Sequence, residues 1–301
     1  MLIIVGAGLA GLSAAYRLIV EAKIAAEQIL ILEAKDRIGG RIESFAFPDG
    51  TEVDLGAQWL HGEKNNPIYE WLNTLGLIRG PEEEKSEYEG IFSCPTGRLP
   101  PIDIVPRVLD LLMDTKDFLY KASHAFDRSA KPIEIFRKHI KMEIDKSPEL
   151  RCVDKGLIEA VQRWFELYEM IDNSCEDMSL LSMKAYSDWT NFDEGKMTLL
   201  KGGWSSVVNK LVNLIGMDRI RLRHRVKRMR YYQQGVQLTV LDGRDCFIEL
   251  TSKHVIVTCS VGFLKTQARD LFVPPISESR LLQLENCGFG VVNKIFLQFE
   301  Q

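Results

Sequence analysis

Apolar residues follow two rhythms along this chain. Leu2-Ile-Ile-Val5 and Ile29-Leu-Ile-Leu32 are unbroken apolar runs and predict strands buried in a parallel sheet. Between them Leu9, Leu12, Tyr16 and Ile19 recur at helical spacing, which predicts a helix with that face on the sheet. Asn66-Pro67 reads as the N-cap and first residue of a short helix that Gly76 closes. Helical patterns cover residues 102–126 and 156–171, and Leu157, Val161, Trp164, Leu167 and Tyr168 are expected to share one apolar face of the second. Trp204 to Ile215 is a further helix. Alternation then predicts a three-stranded meander with strands 226–232, 236–241 and 246–250, turning at Gln233-Gln-Gly235 and Asp242-Gly-Arg244. His254 to Thr258 reads as a buried parallel strand, Pro274-Pro275 as a breaker, and Lys294 to Glu300 as the start of another strand. Strand, helix and strand in that opening order place the chain in the α/β class.

The turn after the first strand carries the chemistry. Gly6-x-Gly8-x-x-Gly11 follows an apolar strand and opens a helix, and Glu33 closes the next strand 22 residues after Gly11, near the roughly 20 expected of a dinucleotide site. Gly6 permits the tight turn, Gly8 a close approach to pyrophosphate, and Gly11 close packing of helix on strand. The helix N-terminus offers N–H groups and a positive dipole end to phosphate. A carboxylate at Glu33 accepts from both ribose hydroxyls and repels the 2′-phosphate of NADP. The plainer reading, a structural βαβ turn, does not call for the acid. Just beyond, Gly39 and Gly40 allow a second close backbone approach and Arg41 can pair with a phosphate.

Composition narrows this little. The chain is 46% hydrophobic and 27% charged over 301 residues, which suits a globular protein of about two domains. A net charge of −4 gives no reason to expect a nucleic-acid partner. Six separated cysteines without a CxxC or Cys/His cluster point to reduced thiols in an intracellular protein and to no metal site. No apolar run approaches the roughly 18 residues of a membrane span, and a strand starting at residue 2 leaves no room for a signal peptide. Glu82 to Glu89 is an acidic stretch read as a solvated loop. The chain stops at Gln301 in mid-pattern, so it is expected to be a C-terminally truncated piece of a longer protein.

Four separated motifs together resemble the flavin-containing amine oxidase family, and within it the animal polyamine oxidases, including spermine and N1-acetylpolyamine oxidases. They are Val5-Gly-Ala-Gly-Leu-Ala-Gly11, Glu33 to Arg41, Gly56-Ala-Gln-Trp-Leu-His-Gly62 and Gly288-Phe-Gly-Val-Val-Asn-Lys294-Ile-Phe. Val255-Ile-Val-Thr-Cys-Ser-Val-Gly-Phe-Leu-Lys265 adds a fifth, weaker match, and support is thinnest between Glu82 and Asp193. The resemblance implies a Rossmann-like FAD-binding domain with an inserted α+β substrate domain. The expected division is 1–80 and 196–270 for the FAD-binding domain, 81–195 for a mainly helical substrate domain, and 271–301 for the start of its returning sheet.

It also implies roles. Gly6, Ala7, Gly8 and Gly11 would line the pyrophosphate, Glu33 the ribose, Arg41 the phosphates, Gly56, Ala57, Gln58 and Trp59 the flavin, and the Val226 backbone the adenine. Lys294 would reach flavin N5 through a water; its plain reading is an exposed strand lysine. His61 would line the substrate site; its plain reading is structural. The implied reaction oxidises a polyamine at a secondary amine, with hydride passing to flavin N5 and O2 becoming hydrogen peroxide, in a monomer that is cytoplasmic, or peroxisomal if a C-terminal address follows. Other oxidases of the scaffold, acting on monoamines, L-amino acids or histone lysine, stay open, as does a nonenzymatic remnant that binds a partner.

Overall fold

Leu2 to Val5 lies at the middle of the molecule's longest-range pairings. The computed structural model describes residues 1–79, 104–188, 197–198 and 200–299; the acidic stretch Glu82 to Glu89 falls outside them. In chain order the described residues form β1 (Leu2–Val5), α1 (Leu9–Tyr16), β2 (Ile29–Leu32), β3 (Ser44–Ala46), β4 (Glu52–Asp54), β5 (Leu60–His61) and α2 (Pro67–Thr74). The helices α3 (Ile104–Ala122), α4 (Pro132–Lys146), α5 (Pro148–Arg151), α6 (Lys155–Asp172) and α7 (Met183–Ser187) follow. Then come β6 (Met197–Thr198), α8 (Gly203–Ile215), β7 (Ile220–Arg221), β8 (Arg225–Tyr232), β9 (Gly235–Leu241), β10 (Phe247–Ser252), β11 (His254–Val257), α9 (Val261–Leu271), β12 (Phe272–Val273) and α10 (Glu278–Asn286). They divide into two compact units, residues 1–84 with 192–287, and residues 85–191 with 288–301.

The first unit is layered. Its parallel sheet runs β11-β1-β2-β7. One face buries Ile4, Ile29 and Ile31 against Leu12 of α1 and Val207 and Leu211 of α8. The other buries Ile3, Val5, Leu30 and Leu32 against Val226, Leu238 and Val240 of the meander β8-β9-β10. Both faces are covered, which is why β1 and β2 are unbroken apolar runs. The meander is half-covered and therefore alternates. β11 was expected to be buried; it pairs with β1 as predicted but lies at the sheet edge, and its residues are only partly covered.

The second unit, among the described residues, is helical. Phe165, Leu112, Leu119, Ile140 and Met183 form its core, and the Phe136 and Phe165 rings stack at 5.6 Å. The buried face of α6 is Ile158, Val161 and Phe165, whereas Trp164 and Leu167 of the expected stripe are exposed. Two carboxylates take the place of those apolar residues. Glu166 receives two hydrogen bonds from Arg137 of α4, both 2.8 Å, and Glu169 receives one from Lys116 of α3 at 2.6 Å. Cations from neighbouring helices let charged residues face inward, so hydrophobicity alone misplaces the stripe.

Lys294 to Phe299 is not a strand. The segment carries no regular structure, with Ile295 86%, Leu297 73% and Phe299 80% exposed, and has no ladder partner among the described residues. Alternation supplies one apolar edge, but a strand exists only when paired. The sheet expected over 271–301 thus reduces to β12, which joins the meander beside β8.

Two outcomes follow. A methyl group on Gly11 would stand 1.9 Å from the Gly6 carbonyl oxygen, whereas one on Gly288 would meet nothing within 4 Å. Gly11→Ala should lower stability by about 2 to 3 kcal/mol in urea denaturation, and Gly288→Ala should leave it within about 0.5 kcal/mol. Burial raises the Glu166 carboxyl's pKa, but the Arg137 fork outweighs burial and holds it below the usual 4.5. A depressed folded-state pKa gives stability present above that value and lost as pH falls through the folded one. The thermal midpoint of Arg137→Met should therefore lie below wild type at pH 7, and the gap should close as pH falls below about 4.5.

Candidate functional site

The glycine-rich turn is held from both sides by backbone. Glu33, only 8% exposed, accepts the Ala7 N–H at Oε2 (2.7 Å) and the Lys35 N–H at Oε1 (2.8 Å). Its own backbone is fixed in turn: its N–H donates to the Arg221 carbonyl at 2.9 Å and its carbonyl accepts the His224 N–H at 2.8 Å. Each carboxylate oxygen keeps a further acceptor position beyond these bonds.

A second loop lies against the turn. The Gly39 N–H donates to the Ala7 carbonyl at 2.9 Å, and Gly8 and Gly39 form a parallel bridge. A Cβ on Gly40 (φ +62°) would lie 3.1 Å from the Gly8 Cα, so main chain meets main chain with no side chain between. Gly8 is the N-cap of α1 and offers no side-chain cap, which leaves the first-turn N–H groups without that partner. Dipole, uncapped amides and a bare glycine floor are what a pyrophosphate requires. The residues present therefore fit a dinucleotide.

Arg37, which the sequence reading passed over, organises this second loop. Its guanidinium donates to the carbonyls of Ile38 (3.2 Å), Ile42 (3.3 Å) and Gly40 (3.0 Å) and pairs with Glu43. Arg41 itself is exposed, and its carbonyl accepts the Ala57 N–H at 3.4 Å. Gly56 packs onto that same carbonyl, 1.8 Å from where a Cβ would stand. Arg41, Gly56 and Ala57 are thus joined to the glycine turn by a continuous run of backbone contacts. Ala57 and Trp59 are exposed, and Gln58 is half-buried.

Thr258 is another residue that sequence reasoning missed. Its hydroxyl donates to the Val5 carbonyl at 2.8 Å and would lie 2.7 Å from a Cβ on Gly6 (φ +109°). The neighbouring Cys259 thiol is pushed up to about 11 by burial and by the Glu33 carboxylate. His61 is exposed at the end of β5, whose partner is β6. The buried Asn66 side chain donates to the carbonyls of His61 (2.9 Å) and Gly62 (3.1 Å) while its oxygen caps α2. Val226 is buried in the meander, directly before a β-bulge. Lys294 is exposed and belongs to the second unit. Among the described residues no group of three or more His, Cys, Asp or Glu side chains is placed to hold a metal, and no helix is long and apolar enough to cross a membrane.

A family model described as "Flavin containing amine oxidoreductase" matches residues 9–301. Polyamine oxidase 1 of Oryza sativa is 28% identical over 99% of this chain and 62% of its own length. The peroxisomal N(1)-acetyl-spermine/spermidine oxidase of Homo sapiens is 26% identical over 99% of this chain and 61% of its own. The chain thus spans less than two thirds of either relative. Among solved structures, cyclohexylamine oxidase from Brevibacterium oxydans shares the fold at a TM-score of 0.61, with 21% identity over 94% of this chain and 62% of that one. The family match begins at the first residue after Gly8 and runs to Gln301, taking in Gly11, Glu33 to Arg41, Gly56 to Gly62 and Gly288 to Lys294: the chain belongs to the flavin-containing amine oxidoreductases.

Proposed function

We propose that this chain forms the cofactor-binding part, and some of the substrate-binding part, of an FAD-dependent oxidase of polyamines. The observation that carries the reading is the cradle of Gly8 against Gly40, closed by the Ala7 N–H on Glu33, in a chain whose similar relatives include polyamine oxidases. When bound, FAD supplies the acceptor for a hydride from the carbon beside a secondary amine and passes the electrons to O2 as hydrogen peroxide. The oxidised amine then hydrolyses to an aldehyde and a shorter amine.

The chain's own residues bind and orient. The turn from Gly6 to Gly11 and the first turn of α1 hold the pyrophosphate. Glu33 uses its remaining acceptor positions on the ribose hydroxyls. Arg41 pairs with phosphate, while Arg37 keeps the loop in shape behind it. Gly56, Ala57, Gln58 and Trp59 line the flavin, and the Val226 backbone meets adenine. His61, held by Asn66, hydrogen-bonds substrate nitrogens. Lys294 positions the water used at the flavin. The reacting nitrogen must be neutral for hydride to leave, and a dry pocket favours that form. Spermine and N1-acetylpolyamines both meet this description.

The reading is tested by purifying the protein and recording its visible spectrum. A yellow protein that releases hydrogen peroxide from spermine or N1-acetylspermine supports it. A colourless folded protein, or a yellow one active only on other amines, overturns it. Within an active protein, Lys294→Met should slow flavin reduction or reoxidation in stopped flow by about 10-fold or more. Unchanged rates for both steps would remove Lys294 from the chemistry. His61→Ala should weaken polyamine turnover with FAD still bound; loss of FAD instead would make His61 structural.

A further inference from the structure

The net charge of −4 conceals a segregated distribution. From Arg219 to Arg230 the chain carries six Arg, one Lys and one His and no acid. Part of this run is neutralised locally. Arg219 pairs with Asp218 at 2.8 Å, and Arg223 with Asp36 at 3.6 Å. Arg225, Lys227, Arg228 and Arg230 are exposed and meet no carboxylate within ion-pair distance among the described residues.

The ladder puts three of them on one face. Arg225, Arg228 and Arg230 lie opposite Leu241, Thr239 and Gln237 of β9, which alternate with the buried Val240 and Leu238. The bulge at Lys227 brings Arg228 onto the same side as Arg225. Cations at alternate positions stand about 6.7 Å apart along a strand. Like charges so arranged repel, and nothing in the packing requires them, because this face points away from the core. Across the face, Thr239, Gln237 and Thr251 add neutral hydrogen-bonding groups, and the one acid, Glu249, already accepts the Thr239 hydroxyl at 2.8 Å. Tyr232 and Phe247, 49% and 67% exposed, sit at its two ends.

We infer that this outer face of the meander binds single-stranded nucleic acid through its phosphodiester backbone. A single row of guanidinium forks suits a linear polyanion, whereas a membrane would be matched by cations spread in two dimensions. The row lies on the face of a four-stranded sheet rather than on a free two-stranded ribbon of the kind a duplex major groove admits. Exposed aromatic rings at the ends offer stacking surfaces that an acidic peptide does not use. The binding rests on the sheet alone; its use rests on the proposed polyamine reading. Polyamines are polycations that condense on nucleic acid as counterions do. An oxidase docked there would work where its substrate is concentrated.

The test is fluorescence anisotropy of the full chain with labelled oligouridylate and oligodeoxythymidylate. Duplex DNA, a polyglutamate peptide and phosphatidylserine vesicles serve as the other arms. Binding should weaken between about 50 and 200 mM salt with a slope of about −2 on logarithmic axes, at roughly 0.7 for each of the three phosphates neutralised. Arg225→Gln/Arg228→Gln/Arg230→Gln should lower affinity by about tenfold or more. Should that variant fail to keep the wild-type thermal midpoint, Arg228→Gln alone should reduce the slope by about 0.7. Tighter binding of oligouridylate identifies RNA as the partner, and equal binding identifies any single strand. No binding at low salt, affinity or slope unchanged in the variants, or tighter binding of the duplex, the peptide or the vesicles overturns the inference. A chain that binds oligouridylate but oxidises no polyamine leaves this inference standing and removes the proposed function.

Discussion

The Ala7 N–H bond to Glu33 is the contact on which the first unit turns. It joins the loop after β1 to the end of β2, 26 residues apart, with a buried carboxylate as acceptor. A buried carboxylate is costly unless its oxygens are bonded, and here backbone amides bond both. The acid is therefore fixed by main chain rather than by a counter-ion. With that bond in place, the Ala7 carbonyl faces Gly39, and Gly8 comes close enough to Gly40 that a Cβ on Gly40 would crowd the Gly8 Cα at 3.1 Å. The cradle is a consequence of main-chain geometry, and its side chains matter mostly by being absent.

This explains why some features could be read from the sequence and others could not. Gly6, Gly8, Gly11 and Glu33 are spaced along the chain by the geometry of one βαβ unit, so their meaning is local. Asn66-Pro67 is local too, and the Asn66 oxygen does cap α2 as expected. Its second task, holding the His61 and Gly62 carbonyls through its amide nitrogen, could not be inferred from capping rules. Thr258 lies 253 residues from the Val5 carbonyl it bonds, so only the pairing of β11 with β1 reveals it. Arg37 sits four residues before Arg41, and only Arg41 adjoins the glycines in sequence. The structure gives the bracing contacts to Arg37 and leaves Arg41 exposed.

Two of the misread segments share one cause. The face of α6 and the state of Lys294 to Phe299 are both decided by neighbours distant in sequence. Periodicity reports which residues share a face. It does not report what stands opposite. Glu166 and Glu169 face inward because Arg137 and Lys116 reach them from other helices. Ile295, Leu297 and Phe299 remain exposed because nothing among the described residues pairs with them.

The two units also bury charge by different means, and this bears on how each tolerates change. In the first, Glu33 is satisfied by amides that only proline at position 7 or 35 would remove, so other replacements of its neighbours leave it bonded as long as the turn is intact. In the second, each inward carboxylate relies on a replaceable cation: Glu166 on the half-exposed Arg137, and Glu169 on the mostly buried Lys116. Removing a cation strands a buried anion, which costs more than the pair contributes. The helical unit is therefore the more sensitive to single charge changes. The cradle is the more sensitive to added volume at its glycines. Cofactor binding and helical packing are thus exposed to different substitutions, and one can be weakened without the other.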